Sequence, residues 1–195
     1  MQTSEDGRVA RGQRTREAII SALFELYREG NLTPTIEQIA ERVGCTTRAI
    51  YQHFQDKEAL VVAIAERQLE AHAELYRAAP IEGVLDRRIS GIVGHRSALF
   101  EAVAPVRRSA LVQLHISPEL QRQQTGLAGR FRNQLATTFE PELGVLETDL
   151  ATHILDLLDL HTSWETWERL RTWQRLSVDR TERIVTILVT NAITP

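Results

Sequence analysis

Two short segments near the front of the chain, residues 35–43 (TIEQIAERV) and 46–54 (TTRAIYQHF), are joined by Gly44 and Cys45 alone. Each reads as a short helix. Thr35 and Gln38 make a Thr-x-x-Gln capping box, and Ile36, Ile39, Ala40 and Val43 are the apolar positions of the first helix. Gly44 supplies the positive φ of a sharp helix exit. Thr46 caps the second helix, and Asp56 caps the one after it. Ala40 is small enough to let the two helices cross closely. Ile39, Val43 and Ile50 face an upstream stripe of Ile19, Ile20, Leu23, Phe24 and Tyr27 that stops at Gly30. So tight a turn between two helices, both packed on a third, commits this part of the chain to a small three-helix unit. It also leaves the second helix a polar outer face.

Helical periodicity continues to the end of the chain with proline as punctuation, and no alternating strand pattern, repeat or low-complexity tract appears. Residues 1–12 are polar and glycine-containing and read as a flexible arm. Helices are expected from residue 14 to 30 and over 35–43, 47–54, 57–79, 81–104, 105–115, 118–139, 149–173 and 178–193. The expected fold is all-α, with a three-helix domain over 13–60 and a larger helical bundle over 61–195. A composition of 43% hydrophobic and 25% charged residues is that of an ordinary globular protein and excludes wholesale disorder. The single cysteine, Cys45, allows no intrachain disulfide and fits a reducing, cytoplasmic setting. No apolar run approaches the roughly 18 residues of a membrane span, so no membrane partner is expected.

Arranged in this way, the two short helices form a helix-turn-helix, whose second helix enters the DNA major groove. Thr47 and Arg48 lie in its first turn, where arginine can pair bidentately with guanine and a threonine methyl can meet thymine. Tyr51 and His53 are placed for backbone phosphates, as are the helix starts at Thr35 and Thr46 and the amides capped by Asp56. Lys57, the one lysine of the chain, stands in the first turn of the next helix against the helix dipole, a position that an anionic partner favours. The net charge of −3, with eight basic and seven acidic residues from Arg8 to Glu58, means that affinity must come from arrangement rather than bulk charge. Arg8 and Arg11 are further candidates, for the minor groove.

The stretch TIEQIAERVGCTTRAIYQHFQDKEAL resembles the DNA-binding signature of the TetR family of bacterial transcription repressors. Thr35, Ile39-Ala40, Gly44, Tyr51-x-His53-Phe54 and Lys57-Glu58-Ala59-Leu60 carry the resemblance, which spans roughly residues 14–60. Arg48 departs from it, standing where many relatives have a small residue or proline, so no operator preference transfers. The resemblance implies a ligand-responsive repressor that binds a palindromic operator as a homodimer and is released by a small organic effector. The alternative is an architectural or constitutive DNA-binding regulator without an effector.

The rest of the chain can be asked whether it agrees. Residues 184–189 are apolar around most of the helix circumference, more than burial on one side requires. With Leu150, Ile154, Leu157, Leu158, Leu160, Trp164 and Trp167 they could form a four-helix dimer interface. Glycine pairs within helices, Gly91 with Gly94 and Gly126 with Gly129, suggest close crossings or room for a ligand. Candidate pocket residues are His95, Phe100, Arg107, Phe131, Asp156, His161 and Trp164. Asp149, His153 and Asp156 share a face but read as a polar helix surface, so no metal or cofactor is expected. The chain lacks Glu-x-x-His pairs, a Gly-rich phosphate loop and a G-x-S-x-G elbow, and no enzyme is expected.

Overall fold

The computed structural model describes residues 2–114 and 117–194, with side chains from residue 9 onward. The side chain of Arg8, and His115 at the expected end of one helix, lie outside the described residues. The described elements are α1 (Gln2–Arg28), α2 (Ile36–Val43), α3 (Thr47–His53), α4 (Lys57–Ala71), α5 (Ala73–Tyr76), α6 (Leu85–Gln113), α7 (Pro118–Thr138), α8 (Glu140–Leu143), α9 (Thr148–His161), α10 (Trp164–Glu168), a π-helical turn (Arg169–Trp173) and α11 (Val178–Ile193). The protein is all-α, as the sequence predicts. The chain divides into two compact units, Met1–Ala71 with Val103–Gln123, and His72–Ala102 with Gln124–Pro195.

The first unit is built on the α1 stripe. Ile19, Leu23 and Tyr27 are buried with Ile39 and Ala40 of α2, Ile50 of α3, Phe54, and Leu60 and Ile64 of α4. Each fully buried leucine or isoleucine contributes about 1.5–3 kcal/mol. The end of α6 joins this core through Val106, while Ala110, also of α6, and Leu120 of α7 pack on Val61. Two hydroxyls tie the same segment down: Ser109 Oγ donates to the Leu32 carbonyl at 2.8 Å, and Ser117 Oγ to Glu58 Oε1 at 2.6 Å.

The second unit has its own core, in which Ile89 and Ile92 of α6, Leu135 of α7, Phe139, Ile154 and Leu158 of α9, and Val185 and Val189 of α11 are buried together. Buried Arg88 closes one end of it with a bidentate pair to Glu142 at 2.7 and 2.5 Å. Gly91 is needed here, since a Cβ at that position would stand 2.9 Å from Ile81. A Cβ at Gly94, Gly126 or Gly129 would meet only open space, so these three mark no close crossing.

Several element boundaries differ from the sequence expectation. Where an arm is expected over residues 1–12, α1 already runs from Gln2; no proline interrupts it, and Thr15 and Arg14 donate back to the carbonyls of Arg11 and Ala10. The helix expected to reach residue 79 ends at Ala71. Beyond Gln68 no side chain is buried until Ala78, so little apolar burial holds a longer helix, and His72 leaves the helical region with φ −119° and ψ 28°. Two helices expected on either side of Pro105 are one, α6. A proline within a helix costs about 3 kcal/mol, and buried Phe100, Val103, Val106 and Ala110 flank it and offset that cost. The single helix expected over 149–173 is broken at Ser163, whose extended backbone lets its hydroxyl accept from the Thr166 N–H at 3.2 Å and start α10.

Candidate nucleic-acid interface

The expected capping box is present: Thr35 N–H donates to Gln38 Oε1 at 2.9 Å, and Gln38 N–H to Thr35 Oγ1 at 3.3 Å. Gly44 leaves α2 in the left-handed region, φ 75° and ψ 35°. Its N–H reaches the Glu41 carbonyl and that of Cys45 the Ala40 carbonyl, the paired bonds of a Schellman stop. Thr46 Oγ1 accepts from Ala49 N–H at 3.2 Å and opens α3, and Asp56 Oδ1 accepts from Ala59 N–H at 2.8 Å and opens α4.

These devices fix which way α3 faces. Ile50 and Phe54 are buried against α1 and α2, so Arg48 and Tyr51 point outward, the tyrosine 53% exposed. Thr47, His53 and Lys57 are half-buried, whereas Thr35, Thr46 and Gln52 are exposed. The arrangement offers a planar cation, a phenol, an ammonium and capped helix starts around one short helix, all able to bond phosphate or base edges.

Electrostatics sorts the cations of this unit. Arg42 on α2 is held by Glu29, just past the end of α1, at 2.9 and 2.7 Å, and by Glu25 in its last turn at 3.5 Å. Its hydrogen bonds keep the Glu29 carboxyl below the usual range. Arg42 thus serves the α1–α2 junction. Arg16 lies over the Phe54 ring, 5.0 Å from its centroid, and shields the last turn of α3. A Cβ at Gly12 would stand 3.9 Å from His53 Cε1, so the early part of α1 passes beside the end of α3. The sequence reading missed Gly12 beside His53 by treating residues 1–12 as an arm; the absence of proline before residue 34 was the available signal.

The seven candidate pocket residues fall into separate groups. In the second unit, Phe131 meets the His95 ring edge-on at 6.5 Å, and Phe100 meets Trp164 edge-on at 5.6 Å. Asp156 is exposed and pairs with Arg132 at 2.6 Å. His161 is half-buried near the Leu188 backbone, and desolvation pushes its pKa down. Arg107 belongs to the first unit.

Residues 19–64 match the profile of the family described as bacterial regulatory proteins, tetR family. The chain is 31% identical over 129 residues to the probable HTH-type transcriptional regulator ArpR of Pseudomonas putida, covering 53% of this chain and 61% of ArpR. It is 30% identical to the HTH-type transcriptional regulator TtgR, also of Pseudomonas putida, with the same coverage. The match thus spans about three fifths of the length of these relatives. A solved transcriptional regulator from Rhodococcus sp. Rha1 superimposes with a TM-score of 0.69 at 16% identity, over 91% of this chain and 95% of that one, a likeness of fold. The capped helix-turn-helix of residues 35–54 lies inside the matched segment, so residues 19–64 carry a DNA-binding domain of the tetR family type.

Proposed function

We propose that the protein is a transcriptional repressor that binds a palindromic DNA operator as a homodimer, in the cytoplasm, and is released by a small organic effector. The observation that carries the reading is the two-sidedness of α3: Ile50 and Phe54 lock it onto α1 and α2 while Arg48 and Tyr51 face outward. Thr47 and Arg48 read base edges. Tyr51, His53, Lys57 and the helix starts capped by Thr35, Thr46 and Asp56 hold phosphates. The relatives carry names of HTH-type transcriptional regulators, which fits.

Support for the homodimer comes from the second unit. Leu150, Leu157 and Leu160 of α9 and Ile187 of α11 are exposed, although both helices bury an opposite apolar face. The two helices pack on each other. A second copy would cover these residues in a four-helix interface and bring the second α3 that a palindrome needs. The test is retention of genomic DNA fragments on immobilised protein, followed by a wash with metabolite extract. Retention of a few fragments and their elution by the extract is expected. Retention without selectivity would overturn the reading, and selective retention that no extract reverses would favour a constitutive regulator.

A further inference from the structure

Two buried arginines stand on one helix, α6, roughly two turns apart. Arg88 has a carboxylate, Glu142, which receives both ends of its guanidinium, and the carbonyls of Gly83 and Thr138 take further N–H groups. Arg96 is buried more deeply, 2% exposed, yet the acceptors it reaches are neutral. Its Nη1 donates to Gln134 Oε1 at 2.7 Å and stands 3.0 Å from His95 Nδ1, and its Nη2 faces the Phe131 carbonyl at 3.4 Å. The guanidinium lies over the Phe131 ring, 4.0 Å from the centroid. Among the described residues no carboxylate hydrogen-bonds it. The acid whose field reaches it, Asp159 of α9, is half-buried, shares that field with Arg132, and has its own carboxyl pushed upward by desolvation. The same desolvation pulls Arg96 down to about 10, whereas Glu142 moves Arg88 the other way.

A charge at such depth is costly unless an opposite charge meets it. Arg88 shows the chain doing this with its own glutamate; Arg96 has only neutral hydrogen-bond partners, and Asp159 acts on it through space alone. One turn further along the same side of α6, Phe100 packs edge-on against Trp164 and lies 6.2 Å from Trp167. A planar fork suited to a carboxylate therefore lies one helical turn along α6 from an aromatic pair. We propose that Arg96 anchors the carboxylate of the effector, and that the effector is an organic acid with an aromatic body packed toward Phe100 and Trp164. This rests on the reading of the chain as an effector-responsive regulator.

The experiment leaves DNA out. Benzoate and phenylacetate are compared with benzamide and phenylacetamide, at matched ionic strength, by thermal shift and calorimetry on the full chain. The acids are expected to raise Tm with concentration and the amides to leave it unchanged. Arg96→Lys, which keeps the charge but loses the fork, should weaken acid binding at least about tenfold, the worth of one charge-assisted hydrogen bond. Arg96→Met, its fold checked by circular dichroism, should abolish it. Equal response to acid and amide, or none to either, overturns the proposal, as does wild-type acid binding by folded Arg96→Met. The acid–amide pair on wild-type protein keeps the test decisive where a variant does not fold. Operator binding is measured separately, so acid binding without DNA binding would fault the regulator reading and leave this site standing.

Discussion

Arg48 and Lys57 carry like charges but stand in different places, and their removal should read out differently. Arg48 projects from the first turn of α3, where a guanidinium can take both acceptors of a guanine. Arg48→Ala is expected to cost about 1–3 kcal/mol on the operator and to relax one base position, as titrations against single-base operator variants would show. Lys57 opens α4, and the contact proposed for it is with phosphate. Lys57→Ala should weaken binding to every sequence alike and lower the salt slope by about one. Identical specificity profiles and salt slopes for the two variants would contradict this division of roles. Gly44 is a different kind of residue, needed for its backbone alone. At φ 75° a Cβ is strained even though no neighbour crowds it, so Gly44→Ala should lower unfolding free energy by about 1–2 kcal/mol in urea titrations.

Helix ends were readable from sequence where a side chain itself does the capping. Thr35 with Gln38, Thr46, Asp56 and Ser177 all accept or exchange the bonds their types predict, and Pro118 opens α7. Helix interiors were harder, because tertiary packing overrides local signals. Pro105 reads as a stop but is carried through by buried neighbours on both sides, and the stretch after Gln68 has no stop residue before Pro80 yet, with little of it buried, breaks at His72. The outward face of α3 followed from the period of Ile50 and Phe54, whereas Gly12 beside His53 depends on α1 continuing where composition suggested an arm, and Arg16 over Phe54 is a tertiary contact that periodicity does not specify. Nor could periodicity pair Arg88 with Glu142, two groups joined only by the fold of α6 onto α8. That pair makes a prediction of its own. Arg88 holds the Glu142 carboxyl below its ordinary range, so the pair's stabilisation is full above the unfolded carboxylate pKa and is lost as pH falls through the lower folded value. Glu142→Gln should cost about 3–5 kcal/mol near neutral pH by stranding a buried guanidinium, and should flatten the acid limb of a stability–pH curve. An unchanged acid limb would contradict the linkage.

Assembly joins the two units' roles. If α9 and α11 meet a second copy, a charge on that face should break the dimer without disturbing either core, because Leu157 and Ile187 are exposed in the single chain. Leu157→Asp with Ile187→Glu is expected to give a folded monomer by sedimentation, with operator affinity reduced because one chain presents one α3. A double variant that stays dimeric would place the interface elsewhere. The central claim is that α3 reads DNA and that two copies of it read together, and selection from random duplex DNA followed by sequencing tests it most directly. The wild-type protein should enrich an inverted repeat whose half-site centres lie about 10–10.5 base pairs apart, or a multiple of that. Arg48→Ala should lose preference at one symmetric pair of positions within it. A retained pool that stays random, or one whose enriched motif is unaltered by Arg48→Ala and by the loss of the dimer, would contradict the account.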